Sequence, residues 1–126
     1  MALASRAGQL VSGLVYGGLA ISVFGLLGTL DDLVEEDFGH ARYLLIVDPE
    51  TWTVEVHDNP KKYTDMGHGI QTAENVAKLR PDAVLTGYAG EHGRRKMEEL
   101  GIRIITDEEG TVRDAVNGYI RRHMRK

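Results

Sequence analysis

Leu19-Ala20-Ile21-Ser22-Val23-Phe24 is a short apolar run of mostly β-favouring residues and predicts a first strand. The strand predicted over 42–47 contains Tyr43-Leu44-Leu45-Ile46-Val47 and lacks polar alternation, so it should be covered on both faces. Asp48-Pro49-Glu50 then sets a tight turn, because proline fixes its own φ. From Trp52 to His57 the pattern alternates, with Trp52, Val54 and Val56 on one face, as in an edge strand. Ile70, Ala73, Val76 and Ala77 share one face of a helix that follows Gly67-His68-Gly69 and stops at Pro81. Ala83 to Thr86 is a fourth strand. Gly87-Tyr88-Ala89-Gly90 turns into a second helix from Glu91 to Leu100, which Gly101 closes. Ile102 to Ile105 is a fifth strand. Val112, Ala115, Val116, Tyr119 and Ile120 form the stripe of a third helix, and Thr111 and Asp114 have capping-box spacing at its start. The order β-β-β-α-β-α-β-α implies a layered α/β domain with a mixed sheet. The tight turn makes the second and third strands antiparallel.

Two segments do not fit a compact pattern. Gly25 to Asp37 is a long connection with an acidic run (Asp31, Asp32, Glu35, Glu36, Asp37); a loop of this length is functional or disordered, and its acids read most simply as a solvated face. Gly8 to Leu30 carries no charge and is long enough to resemble a membrane span, but its many glycines argue against one. We divide it into an N-terminal extension, residues 1–18, either foreign to the domain or disordered, and a domain over residues 19–126.

The 126 residues suit one domain, and the formal net charge of −4 argues against a general nucleic-acid binder, which needs a basic footprint. The chain has no cysteine, so disulfides, thiolate-held iron–sulfur clusters and cysteine nucleophiles are excluded. Metal chemistry would rest on histidines and nearby oxygens.

The acidic loop ending in Val34 and Phe38-Gly39, with Ala41 and Tyr43, is followed by Leu45-Ile46-Val47-Asp48, Asn59-Pro60, Gly67-His68-Gly69-Ile70, Thr86-Gly87, Leu100-Gly101-Ile102 and Gly110-Thr111-Val112. In this order and spacing, over residues 19–122, the chain resembles the dinitrogenase iron-molybdenum cofactor biosynthesis family, the NifX/NafY-like domain. The resemblance implies a three-layer α/β/α fold with a ribonuclease H-like motif, a five-stranded mixed sheet in the order 3-2-1-4-5 and three helices. It also implies a cofactor-binding role, since known members carry iron–sulfur precursors or the iron–molybdenum cofactor toward nitrogenase. The family often has histidine immediately before Phe-Gly; here Asp37 stands there and His40 follows Gly39.

With that order, strands one, three, four and five run the same way, and the loops after them share one edge of the sheet. Strands one and four would form a topological switch point there, where ligands tend to bind. His40, His68 and His92 fall on this edge with Asp37, Asp65 and Met66; His57 lies near it and His123 elsewhere. Imidazole is a good transition-metal ligand, so His40, His68 and His92 are the candidate metal ligands. The first two helices also start here, and their free N–H groups favour an anion that Gly67, Gly69, Gly87 and Gly90 would let approach closely. The candidate cofactor-binding set is therefore Asp37, His40, Gly67, His68, Gly69, Gly90 and His92. The Arg94-Arg95-Lys96 run reads as an exposed helix face paired with Glu98 and Glu99.

The expected function is non-enzymatic binding or carrying of a metal–sulfur cluster or metal oxyanion: an iron–sulfur or iron–molybdenum cluster, or a molybdenum or copper species. The expected partner is a cluster donor or acceptor protein, with no nucleic acid and no membrane, for a cytoplasmic monomer or weak homo-oligomer. One alternative is a protein-interaction or regulatory module of the same fold. A ribonuclease H-like nuclease needs clustered carboxylates beginning on strand one, and Leu19 to Phe24 carries none.

Overall fold

The computed structural model describes residues 10–11, 14–15, 18–23, 27–62 and 67–124. Five strands form one mixed sheet: β1 (Leu19–Val23), β2 (Tyr43–Val47), β3 (Val54–Asp58), β4 (Ala83–Leu85) and β5 (Arg103–Ile105). Three helices accompany them: α1 (His68–Leu79), α2 (Glu91–Glu99) and α3 (Val112–Tyr119), which continues into a π-helical turn over Ile120–Met124. Leu10–Val11 and Leu14–Val15 form a separate two-residue antiparallel pair.

The spatial order is β3-β2-β1-β4-β5, as expected from the resemblance. β2 runs antiparallel to β1 and β3, whereas β1–β4 and β4–β5 are parallel. Hence β1, β3, β4 and β5 share one direction, and their carboxyl ends lie on one edge of the sheet. The predicted elements hold with small shifts at their ends. Trp52, expected in the third strand, instead sits in the turn with φ 63°. There its N–H donates to the Asp48 carbonyl at 2.7 Å, and Asp48 Oδ1 accepts from Glu50 N at 2.8 Å.

The pleat sends alternate residues to opposite faces, and each face has its own core. Leu19, Ile21, Val23, Leu45, Val47, Ala83 and Leu85 meet Val112, Ala115 and Val116 of α3. Ala20, Leu44, Ile46 and Val84 meet Ala73 and Val76 of α1, Met97 of α2, and Phe38. The result is three layers, and β2 is buried on both faces as its unbroken apolar run requires. Across β1 and β4 the inward hydroxyls of Ser22 and Thr86 satisfy each other at 2.7 Å.

Two expectations are corrected. The acidic run is not simply a solvated face. Asp32 is 2% exposed because its carboxylate accepts the N–H groups of Leu27, Gly28 and Thr29 at 2.5, 2.9 and 3.3 Å. Glu35 is also buried, and its carboxylate accepts the Asp37 N–H at 3.0 Å. The buried face of α1 is turned toward Gln71 and Thr72 rather than Ile70 and Ala77. Gln71 clamps both backbone groups of Lys62 at 2.6 and 3.0 Å, and Thr72 Oγ1 accepts from Asn59 Nδ2 at 3.0 Å. These polar side chains complete the backbone of a connection, which an apolar periodicity does not register. Among the described residues no helix is long and apolar enough to cross a membrane.

Candidate functional site

The loops at the carboxyl edge enclose a cavity of about 240 Å³. Asp37 and His40 line it from the loop after β1, Gly67, His68 and Gly69 from the start of α1, and Gly90 and His92 from the start of α2. Asp65 and Met66 lie outside the described residues. His57 and His123 are not part of the lining; His57 meets Glu55 at 3.3 Å, and His123 stacks on Tyr119 at 4.8 Å.

Three close backbone contacts bring the histidines together. Each histidine of the cavity is next to a glycine in sequence: Gly39-His40, His68-Gly69 and His92-Gly93. Those glycines touch. A Cβ on Gly39 would lie 3.0 Å from Gly69 N, and one on Gly93 would lie 3.2 Å from Gly69 O. None of these contacts can be relieved by moving a flexible side chain, because every neighbour is backbone. Gly87 is tighter still: its Cβ would lie 2.6 Å from Glu36 O. That contact belongs to a parallel extension of the sheet, in which Tyr88 N donates to Glu36 O at 2.6 Å and Phe38 N donates to Tyr88 O at 2.8 Å. The pairing carries the Asp37–His40 turn against the start of α2.

The turn over Phe38–His40 is a single 3₁₀ turn. Asp37 caps it, Oδ1 accepting the Gly39 N–H at 3.0 Å, and Asp37 Oδ2 meets His40 Nδ1 at 3.0 Å. The His40 and His68 rings approach edge to face, with centroids 6.3 Å apart. Beneath the loop, Lys61 Nζ donates to the Ala41 carbonyl at 2.5 Å. Burial pushes the Lys61 amine below the usual lysine range; Glu35 and Asp37 oppose this and Arg42 adds to it.

The N-cap residues of both helices at the cavity are glycines, which carry no capping side chain. The N-cap of α1 is Gly67 (φ −66°, ψ 159°) and that of α2 is Gly90 (φ −66°, ψ 166°). Any residue adopts these angles, and a Cβ at either position meets no described atom within 4 Å. Serine or aspartate would fit and would satisfy a first-turn N–H. The third helix has such a cap: Thr111 and Asp114 form the full capping box. At Gly67 and Gly90 no N-cap side chain competes for the first-turn N–H groups, and these positive helix-dipole ends border the cavity.

The expected metal ligation is not preassembled. Among the described residues no three His, Asp or Glu side chains are grouped closely enough to hold a metal ion. His40, His68 and His92 sit on separate elements around the cavity, and Asp37 already engages one nitrogen of His40. Sequence reasoning missed Tyr88, which lines the rim and is 62% exposed, and Glu91, which pairs with Arg95 at 2.6 Å. It also missed Gly39 and Gly93, although the repeated His–Gly adjacency was visible. The basic run of α2 pairs with Glu91 and Glu74 rather than with Glu98 and Glu99, because i,i+4 spacing and the neighbouring helix α1 supply nearer acids.

A larger hollow of about 450 Å³ lies between residues 33–36 and 108–110, with Glu35, Glu36, Glu108 and Glu109 in its wall. Burial pushes the Glu108 carboxyl up, although Arg122, 3.1 Å away, pulls it down. An acidic wall repels anions, so this hollow does not compete for the same ligand.

Residues 24–122 match the family described as dinitrogenase iron-molybdenum cofactor. The chain is similar to the apo form of the orange protein from Desulfovibrio gigas, with 32% identity and a TM-score of 0.76 over 86% of this chain and 90% of that one. It also shares its fold with a Thermotoga protein of the DUF35 family, at 22% identity and a TM-score of 0.67 over 82% of this chain and 87% of that one. A comparison with curated proteins returns no match. The extent of the family match and the shared fold lead to one conclusion: the chain belongs to the dinitrogenase iron-molybdenum cofactor family.

Proposed function

We propose that the chain binds and carries a compact anionic metal species, a metal–sulfur cluster or metal oxyanion of the iron–molybdenum cofactor or precursor type, without catalysing its conversion. The observation that carries this reading is the pairing of two helix starts that have glycine N-caps with imidazoles around one cavity. Helix N-termini favour negative charge, and neutral imidazole is a ligand for copper and iron. The volume of about 240 Å³ is below the roughly 300–1,000 Å³ of pockets for drug-sized organic ligands. A small inorganic ion suits it better. Because the chain has no cysteine, the sulfur of a metal–sulfur cargo must arrive with the cargo. A donor or acceptor protein would then meet the open rim, where Tyr88 is exposed.

Anaerobic titration with tetrathiomolybdate, molybdate, cuprous ion and an iron–sulfur cluster, followed by absorption and calorimetry, tests this. Binding of at least one of these should weaken by roughly tenfold or more in His40→Ala and His68→Ala, the scale on which ligands and their supports act. No binding of any of the four to the folded protein overturns the proposal.

A further inference from the structure

His40 presents two ring nitrogens, and they are not equivalent. Nδ1 lies 3.0 Å from Asp37 Oδ2. A carboxylate can only accept, so its charge favours the proton on the nitrogen beside it. In the neutral ring the other nitrogen, Nε2, then holds the lone pair. An unconstrained imidazole favours the opposite arrangement, with the proton on Nε2. Asp37 is itself held by three further contacts. Its N–H donates to Glu35 Oε2 at 3.0 Å, its Oδ1 caps Gly39 N at 3.0 Å, and its backbone bridges in parallel to Tyr88. The carboxylate therefore cannot swing away from His40 without undoing the turn.

We propose that Asp37 is a positioning residue that holds His40 as the Nδ1–H tautomer and so makes Nε2 its ligating atom. The tautomer does not depend on the carrier reading. The purpose assigned to it, a lone pair offered to a metal, rests on that reading.

The variant Asp37→Asn is the sharpest test because it keeps the shape and reverses the chemistry. Its amide oxygen still caps Gly39, while its NH₂ faces Nδ1 as a donor, which forces the proton onto Nε2. Long-range nitrogen–proton correlation NMR at mildly alkaline pH, where imidazoles are neutral, reads the tautomer directly. His123 is an internal reference: its Nδ1 lies 3.4 Å from the Arg103 guanidinium, a pure donor, so its proton belongs on Nε2. The expected result is a pyrrole-like Nδ1 at His40 in the wild type, a pyridine-like Nδ1 in Asp37→Asn, and His68 and His123 unchanged. If Asp37→Asn does not fold, Asp37→Ser retains a cap for Gly39 and should return His40 to the Nε2–H preference. A wild-type His40 that is already Nε2–H, or the same tautomer in wild type and variant, overturns the proposal. In the same samples cuprous-ion affinity should fall by roughly 10–100-fold with the tautomer change, the usual effect of removing a ligand's orienting partner. A tautomer that inverts as expected, with no cuprous-ion binding in any sample, supports the positioning role and counts against the carrier reading alone.

Discussion

Gly87 occupies a position where a single methyl group has nowhere to go, and Gly93 one where it would be crowded. At Gly87 the added carbon would meet Glu36 O at 2.6 Å, Glu36 Cα at 2.8 Å and Glu35 O at 2.9 Å. At Gly93 it would meet the Gly69 backbone at 3.2–3.4 Å. Overpacking against backbone costs about 1–3 kcal/mol, and the shorter approach should cost more. Urea unfolding should therefore show Gly87→Ala destabilised, and more so than Gly93→Ala, where the helix propensity of alanine offsets the 3.2 Å contact. Equal stability of Gly87→Ala and the wild type would contradict the close approach. At this scale the sequence was partly legible. Glycines beside histidines could be read as backbone that something approaches closely, but not that the glycines approach one another. The burial of Asp32 and Glu35 was not legible, because their partners are backbone N–H groups whose direction depends on how the loop after β1 folds back. A carboxylate in a polar loop reads the same whether it faces water or a ring of amides.

Helices α1 and α2 start at the cavity with glycine where a polar cap would fit, and α3 starts elsewhere with a full capping box. The missing caps cost stability that a substitution can recover. Gly90→Asp should stabilise the fold by about 0.5–1 kcal/mol, through a cap and a favourable charge at the helix start. The same carboxylate would occupy N–H groups that the cargo needs and would repel an anion, so tetrathiomolybdate binding should weaken. Paired thermal unfolding and titration measure both effects. A variant that gains stability and keeps full affinity would show that the α2 terminus takes no part in binding. The elements themselves were legible because period and punctuation agreed: an unbroken apolar run for β2, alternation in β3, Gly101 after α2 and the Thr111–Asp114 spacing before α3. The rotation of α1 was not, because Gln71 and Thr72 are buried by what they donate and accept rather than by being apolar.

For the whole molecule, strand direction decides where the chemistry lies. Because β1, β3, β4 and β5 point one way, loops far apart in the chain open on one edge, and His40, His68 and His92 line a common cavity. That placement followed from the element order once the sheet order was supplied by family resemblance; periodicity alone gives faces and directions but not which strands are neighbours. The five histidines of the chain make the central claim testable in one experiment, since three line the cavity and His57 and His123 do not. Anaerobic addition of tetrathiomolybdate to the full chain, followed by histidine ring NMR, should shift or broaden His40, His68 and His92 together at one saturating stoichiometry. His57 and His123 should stay unchanged. Saturation that moves His57 or His123 and leaves the cavity histidines untouched, or no response from any ring, would contradict it.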